Sequence, residues 1–379
     1  MVTTRFISSI DYIACNEWND VCGTEFPFIR HEFLSALEQS AVVSTENGWM
    51  PSHLLLYEND KLIAVMPGYL KDHSYGEFVF DFQWAEAYQR NGMKYYPKYI
   101  CAIPFSPVTG PRLCVRTGYD TKSITATVLH AIQFFIADRK ISSWHLLFPE
   151  QSQAELFYSH GSLLRKAVHF QWFNDNYLSF DDFLETFNSR KRKNLRKERH
   201  NVITQGIRLE RIEGKDINDA LWEKFFHFYQ LTYLKRSGHG GYLDKKFFQL
   251  LGKTLPDNLL MVIARKDGEI IAGALNLKTS TTLYGRYWGC YEEYDFLHFE
   301  TCYYQGIEYC IEKKLQIFDP GVQGEHKIQR GFRPVYTYSN HWIADVRFRD
   351  AITQFLSSEE KHIATYKQQA EKLLPFRIK

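Results

Sequence analysis

Two stretches of the chain alternate apolar and polar side chains around a turn in the same way. His53–Tyr57 and Lys61–Leu70 flank Glu58-Asn59-Asp60, and Leu259–Ala264 and Glu269–Lys278 flank Lys266-Asp267-Gly268. Period-two alternation interrupted by Asn, Asp or Gly predicts a β-hairpin. Each hairpin leads on to a Tyr-Gly step, Tyr75-Gly76 and Tyr284-Gly285, so an internal duplication is expected. Downstream of each hairpin the pattern predicts a strand, a helix and a further strand. In the first half these are Tyr99–Phe105, Ser123–Asp138 and Ser143–Phe148; in the second, Thr282–Cys290, His298–Lys314 and Gln316–Asp319. That order suits a mixed, twisted α/β sheet flanked by helices, with one parallel crossover per half. Asp120 is placed to cap the first crossover helix. Cys302, Gly306 and Cys310 put a small-residue face on the second, suited to close packing on a sheet.

Between the halves, Ser179–His200 carries Phe183, Phe187 and Leu195 at helical spacing. Arg190, Lys191, Arg192, Lys193, Arg196, Lys197 and Arg199 crowd the remaining positions. Phe348–Leu374 reads as a terminal helix. The organisation expected is an N-terminal domain over 1–178, a basic helical connector over 179–204, a C-terminal domain over 205–347 and a closing helix over 348–379.

Composition agrees with two cores. At 379 residues the chain exceeds the length at which one core usually stops growing, and 45% hydrophobic with 16% aromatic residues argues against disorder. Forty-six basic against 44 acidic residues leave a net charge of +2, so a polyanion site has to be a local patch. Seven cysteines without a CxxC pair give no zinc or dithiol motif, and no metal is expected. Met1–Asp20 lacks the pattern of an export signal and no window is apolar enough to span a membrane, so a cytoplasmic location is expected.

A dense run of motifs in the second half carries a resemblance: Tyr284-Gly285-Arg286-Tyr287-Trp288-Gly289, Phe296-Leu297-His298-Phe299-Glu300, Phe318-Asp319-Pro320-Gly321-Val322-Gln323-Gly324-Glu325-His326-Lys327, and Arg330-Gly331-Phe332-Arg333-Pro334-Val335. Gly68-Tyr69-Leu70-Lys71, Tyr75-Gly76-Glu77, Tyr95-Tyr96-Pro97-Lys98 and Arg190–Arg199 extend it over nearly the whole chain. With these motifs the chain resembles the FemAB-like family. The resemblance implies two tandem GNAT-like domains (the acyl-CoA N-acyltransferase fold), and an acyl- or aminoacyl-transferase acting on an amine of a peptidoglycan-type precursor. It implies aminoacyl-tRNA as the donor ahead of acyl-CoA, with no other cofactor required. A non-catalytic precursor-binding protein and a CoA-dependent N-acetyltransferase are the alternatives.

Acyl transfer to an amine needs a proton acceptor, donors for the tetrahedral oxyanion, and positioning of both substrates. The loop Gly321–Arg330 offers all three: Glu325 or His326 as base, Lys327 and Arg330 for an anion, and Gln323 as a further substrate contact. Tyr287 and Trp288 are expected to form the wall opposite the loop, with His298 and Glu300 at the helix start beside it. The corner Glu293–His298 lacks the glycines that cradle a pyrophosphate in CoA enzymes of this fold and carries two carboxylates, which disfavours CoA. In the first half Tyr69, Lys71, Trp84, Tyr96 and Lys98 are candidates for an aromatic and cationic pocket for a polar ligand. On the basic helix Arg192, Lys193 and Arg196 are candidates for gripping phosphates of a precursor or of tRNA.

Overall fold

A computed structural model describes residues 2–322 and 324–377. The chain forms two compact units, one of residues 1–167 with 336–365, the other of 168–335 with 366–379. Both are therefore discontinuous in sequence. This division differs from the linear boundaries expected, which closed the first domain at 178 and set a connector and a terminal helix apart.

The first unit opens with β1 (Val2–Ile7), followed by β2 (Trp49–Pro51), the hairpin β3 (His53–Glu58) and β4 (Lys61–Met66), then β5 (Tyr69–Lys71), β6 (Lys98–Cys101), β7 (Cys114–Val115) and β8 (Ser143–Leu147). β1, β3, β4 and β7 pair antiparallel in that order. β2, β5 and β6 form a second antiparallel run, and β6 pairs parallel with β8 through the crossover helix Thr121–Arg139. Asp120 caps that helix, accepting from the amides of Lys122 and Ser123. Val128, Ile132 and Phe135 bury its inner face against Leu54, Met66 and Tyr99. On the other side of β8 lies Ser339–Ile343 of the late strand Arg333–Ile343, with His341 directly opposite His145. Sequence adjacency carries no trace of that pairing.

The second unit repeats the scheme. β9 (Leu163–Phe173), which belongs to this unit from Val168 on, and β10 (Ile207–Glu213) precede the hairpin β11 (Leu259–Lys266) and β12 (Glu269–Lys278), which leads to β13 (Thr282–Cys290) and β14 (Ile317–Asp319). β10 to β13 are antiparallel neighbours; β14 lies parallel to β13 and antiparallel to the end of β9. The two hairpins agree in detail. Each turns through two left-handed residues, Asn59-Asp60 and Asp267-Gly268, the conformation that matches strand twist. Each then slips register at the same place, leaving Ile63 and Ile271 as the extra residues between Leu56/Tyr57 and Ala264/Arg265 rungs.

The crossover to β14 is a composite: a turn of α-helix at Leu297–Phe299, a π-helical turn at Glu300–Tyr304 and the α-helix Gln305–Lys313. A Cβ on Gly306 would come within 2.4 Å of the Phe318 ring, so the small residue is what seats this helix on β14. The basic segment is two helices, Phe180–Glu185 and Ser189–Thr204, broken where Asn188 caps the second. Phe183, Phe187 and Leu195 lie in the core of this unit, so the segment belongs to it and is not a free connector. Among the described residues no helix is long and apolar enough to cross a membrane.

Candidate active site in the second unit

The local geometry begins with a defect in β13. Leu275 pairs with Tyr287 and Asn276 with Gly285, which leaves Arg286 as an unmatched bulge residue. β13 and β14 share three parallel rungs, the last being Tyr284 with Asp319, and the pairing ends there. Bulges re-aim side chains and terminate pairing beside active sites. Here the bulge points Arg286 at the end of β14, where its guanidinium lies 3.1 Å from the Asp319 carboxylate with both side chains buried. The second Asp319 role is local: its Oδ1 accepts from the Gly321 amide at 2.9 Å, turning the chain back at once. Gly321 has φ of 93° and sits near the Gly285 carbonyl, so the loop passes close over the bulge.

That loop continues into a short 3₁₀ helix, Glu325–Arg330. At three residues per turn Lys327 and Arg330 share a face, and both are buried. Lys327 Nζ donates to the Gly321 carbonyl. Burial pushes the Lys327 ammonium down to about 8, the Asp319 carboxylate pulling the other way and Arg286 adding to the depression. His169, from β9, completes the group. Burial lowers its imidazole to about 4, again opposed by Asp319 and assisted by Lys327 and Arg286. The carboxyl end of β14 therefore gathers one carboxylate, two cations and a neutral imidazole out of water.

A second layer of imidazoles lies next to it. His298 stacks edge-on against Trp288 at 5.4 Å, and its ring is 6.1 Å from that of His326. His326 is exposed, and its Nε2 meets the Tyr303 hydroxyl at 2.9 Å. Both imidazoles are depressed, His298 to about 3 and His326 to about 4, by burial first. For His298 the next contribution is His326, followed by Arg236, Lys327 and Arg330; for His326 it is Arg330, followed by Lys327 and Arg236. The two are neutral at pH 7 in a cationic surrounding.

His326, His298 and Trp288 thus lie in one group beside the buried Lys327. Other candidates are placed differently. Glu325 is exposed and accepts from the Tyr366 hydroxyl at 2.9 Å, so it faces away from Lys327. Arg330 engages the Glu198 carboxylate at 2.8 Å, the Tyr304 hydroxyl and the His326 carbonyl, each at 2.8 Å, and lies over the Phe299 ring; its guanidinium anchors the loop. Glu300 gives both oxygens to Arg199 at 2.9 and 3.0 Å and another contact to Gln305, fixing the π turn to the basic helix. Tyr287 packs among Tyr229 and Phe248, so it and Trp288 do not form one wall. Arg192 pairs with Glu185, Arg196 with Asp181 and Glu185, and Lys193 is exposed. Gln323 lies outside the described residues.

Tyr69 and Lys71 belong to the first unit. Tyr69 is core, against Trp49 and His53. Lys71 is buried with its Nζ 3.9 Å above the Trp49 ring, and burial brings it down to about 7. Among the described residues, no cluster of three or more His, Cys, Asp or Glu is arranged to hold a metal ion.

Arg286, Asp319 and His169 were not singled out as site residues from the sequence. Gly285-Arg286 beside an aromatic strand, and an aspartate closing β14, are the signals that point to the first two. A histidine inside a strand gives none.

A family model for peptidoglycan biosynthesis/recognition proteins, FemAB-like, matches residues 9–378. The chain belongs to the FemAB-like family. No curated protein matches its sequence. Among solved structures, FemX superposes with a TM-score of 0.55 at 11% identity, covering 93% of this chain and 100% of FemX. L-PGS from Bacillus licheniformis gives 0.51 at 11% identity, covering 88% and 96%. The C-terminal domain of a putative lysylphosphatidylglycerol synthetase from Agrobacterium fabrum gives 0.52 at 10%, covering 91% and 95%. These likenesses establish the fold: this FemAB-like chain carries tandem GNAT-type units, with β13, the composite helix and β14 as the strand-helix-strand core of the second.

Proposed function

We propose that this FemAB-like chain transfers an acyl or aminoacyl group to an amine of a peptidoglycan-type precursor, with the loop after β14 as its reacting centre. The observation that carries the reading is the buried Lys327 beside Asp319 where β13 and β14 part. In open α/β sheets ligands approach the carboxyl ends of strands, and a cation kept from water there stabilises a developing negative charge far better than one in solvent.

In the reaction, the amine nitrogen attacks the acyl carbonyl carbon, a C–N bond forms and the carbonyl oxygen becomes an oxyanion facing the Lys327 ammonium. Collapse breaks the bond to the donor's leaving oxygen. His326, neutral and exposed beside Tyr303, takes the proton lost by the attacking nitrogen and returns it to that oxygen. Arg286 and Asp319 hold the loop and Lys327 in register. Aminoacyl-tRNA is favoured as donor over acyl-CoA because the corner after β13 holds Glu292, Glu293 and Asp295 and no glycine between Tyr291 and Leu297.

The test is transfer of a labelled aminoacyl group from aminoacyl-tRNA to a nucleotide-linked muramyl peptide, with acetyl-CoA as the competing donor. Lys327→Met is expected to lower kcat/KM by ~10² or more while the melting temperature holds. Binding of the muramyl peptide without turnover, and unaffected by Lys327→Met, would leave a recognition protein instead of an enzyme.

A further inference from the structure

The first unit presents a loop whose charges all turn inward. Residues 74–82 read SYGEFVFDF and contain two carboxylates, Glu77 and Asp81. Both are buried, at 4% and 3% exposure, and both bind Lys98, which is itself fully buried. Lys98 also donates to Ser74 Oγ at 2.8 Å, and the Tyr95 hydroxyl donates to Asp81 at 2.6 Å. Asp81 stands at the N-cap of the helix Phe82–Arg90, yet its side chain makes no capping bond. A carboxylate at that position normally caps; here it is drawn inward.

What remains outward is apolar. Tyr75, Phe80 and Phe82 are 62%, 66% and 43% exposed, and Phe78 and Val79 are half-buried beside them. The Tyr75 and Phe82 rings lie 5.8 Å apart and those of Phe80 and Phe82 6.3 Å apart, so they form one patch. Arg165 ties down the Phe80 carbonyl at 2.8 Å, and its charge is met by Glu359 at 2.7 Å. Lys166 is likewise met by Glu360 and Arg90 by Glu86, so these cations are paired and Asp72 adds a negative charge.

We propose that this loop docks the protein on the interface of a lipid bilayer. The exposed aromatic area is about 350 Å², from roughly 200 Å² per aromatic side chain. A stable protein interface needs about 800 Å² from each partner, with matched shape. The patch is too small for that, and its paired cations give a polyanion nothing to grip. An interface between water and hydrocarbon asks for no shape match, and Tyr and Phe side chains are suited to it. The inference does not rest on the acyl-transfer reading.

The test is sedimentation of the full chain with vesicles of phosphatidylcholine, and with vesicles of phosphatidylethanolamine mixed with phosphatidylglycerol. Partition onto both is expected, insensitive to added salt, and Phe80→Ser with Phe82→Ser should reduce it about tenfold or more with an unchanged melting temperature. Should the double variant misfold, Phe80→Trp supplies an independent reading, a blue shift of emission on adding vesicles. Partition that is absent, or that survives in the double variant, overturns the proposal. So does binding confined to phosphatidylglycerol and abolished by salt, which would belong to the basic helix. A concentration-dependent dimer lost in the double variant would assign the patch to self-association.

Discussion

The two units start from the same hairpin and reach opposite ends at the same place. In the first, β6 and β8 share three parallel rungs, Tyr99–Cys101 with Trp144–Leu146, as β13 and β14 do in the second. Beyond β8, however, the chain closes the gap. Gly110 bridges to Pro149, and its amide bonds to the Phe148 carbonyl at 3.2 Å. Arg112, fully buried, spends its guanidinium on the carbonyls of Leu147, Val108, Gly110 and Pro111. An arginine bonded to backbone carbonyls is a plug. Beyond β14 the corresponding end carries a bulge, an aspartate and a buried lysine. The hairpins repeat on two scaffolds, and the unit without the plug is the one whose strand ends hold the proposed reacting centre. The buried charges of the first unit lie elsewhere, in the Lys98 cluster, and serve its architecture.

The sharpest test of that contrast is to remove one buried lysine from each unit. Lys98→Met leaves Glu77 and Asp81 in the interior without their counter-ion and is expected to destabilise the first unit by about 3–5 kcal/mol, measured by chemical denaturation. Lys327→Met, whose partner is a carbonyl, should spare stability and remove turnover. If Lys98→Met stays as stable as the parent but loses activity, the division of labour drawn here is wrong.

Next in size is a pH effect. The Lys327 ammonium, lowered to about 8, is charged below that pH and neutral above it, so transfer should fall as pH rises through about 8. Lys327→Arg stays charged and should lose this limb whatever its absolute rate. The stability term has the opposite sign: the native lysine sheds its proton earlier than the unfolded one, so the cost of the buried ammonium is full below about 8 and is relieved as pH rises towards 10.5. A falling limb that persists unchanged in Lys327→Arg would trace to a group other than Lys327, since deprotonating the substrate amine speeds its attack.

The smallest effect is expected on the basic helix. Arg192 and Arg196 already face Glu185 and Asp181, which leaves Lys193 the cation of the three without an acidic neighbour in these pairs. Replacing Arg192, Lys193 and Arg196 by Gln should weaken tRNA binding about threefold to tenfold and flatten its salt dependence by less than three charges' worth. An unchanged salt slope would confine the helix to a structural role.

Much of this was legible in the sequence because it is written in local periodicity. Asn59-Asp60 and Asp267-Gly268 announce their turns, Thr282–Cys290 has the bounds of β13, and Asp120 caps as its residue type suggests. What was hidden depends on distant contacts. Gly285-Arg286 marks an interruption in the strand, but only the partner strand reveals the slip that turns Arg286 towards Asp319. Glu325 reads as a base in a charged loop, and only the 3₁₀ turn shows that Lys327 and Arg330 face inward while Glu325 does not. Arg330 and Glu300 look reactive because charge is conspicuous; Glu198 and Arg199, on another helix, are what occupy them.

The late strand Arg333–Ile343 has a consequence in time. His341 sits opposite His145, yet the two are 196 residues apart along the chain. At about 5–20 residues per second of synthesis, β8 waits roughly 10–40 s for its neighbour. Throughout that interval one side of β8 stays open, while residues 168–335 of the second unit are made. The unit that begins first on the ribosome therefore waits for nearly all of the other before its sheet can close, and during those seconds its open strand is in need of shelter.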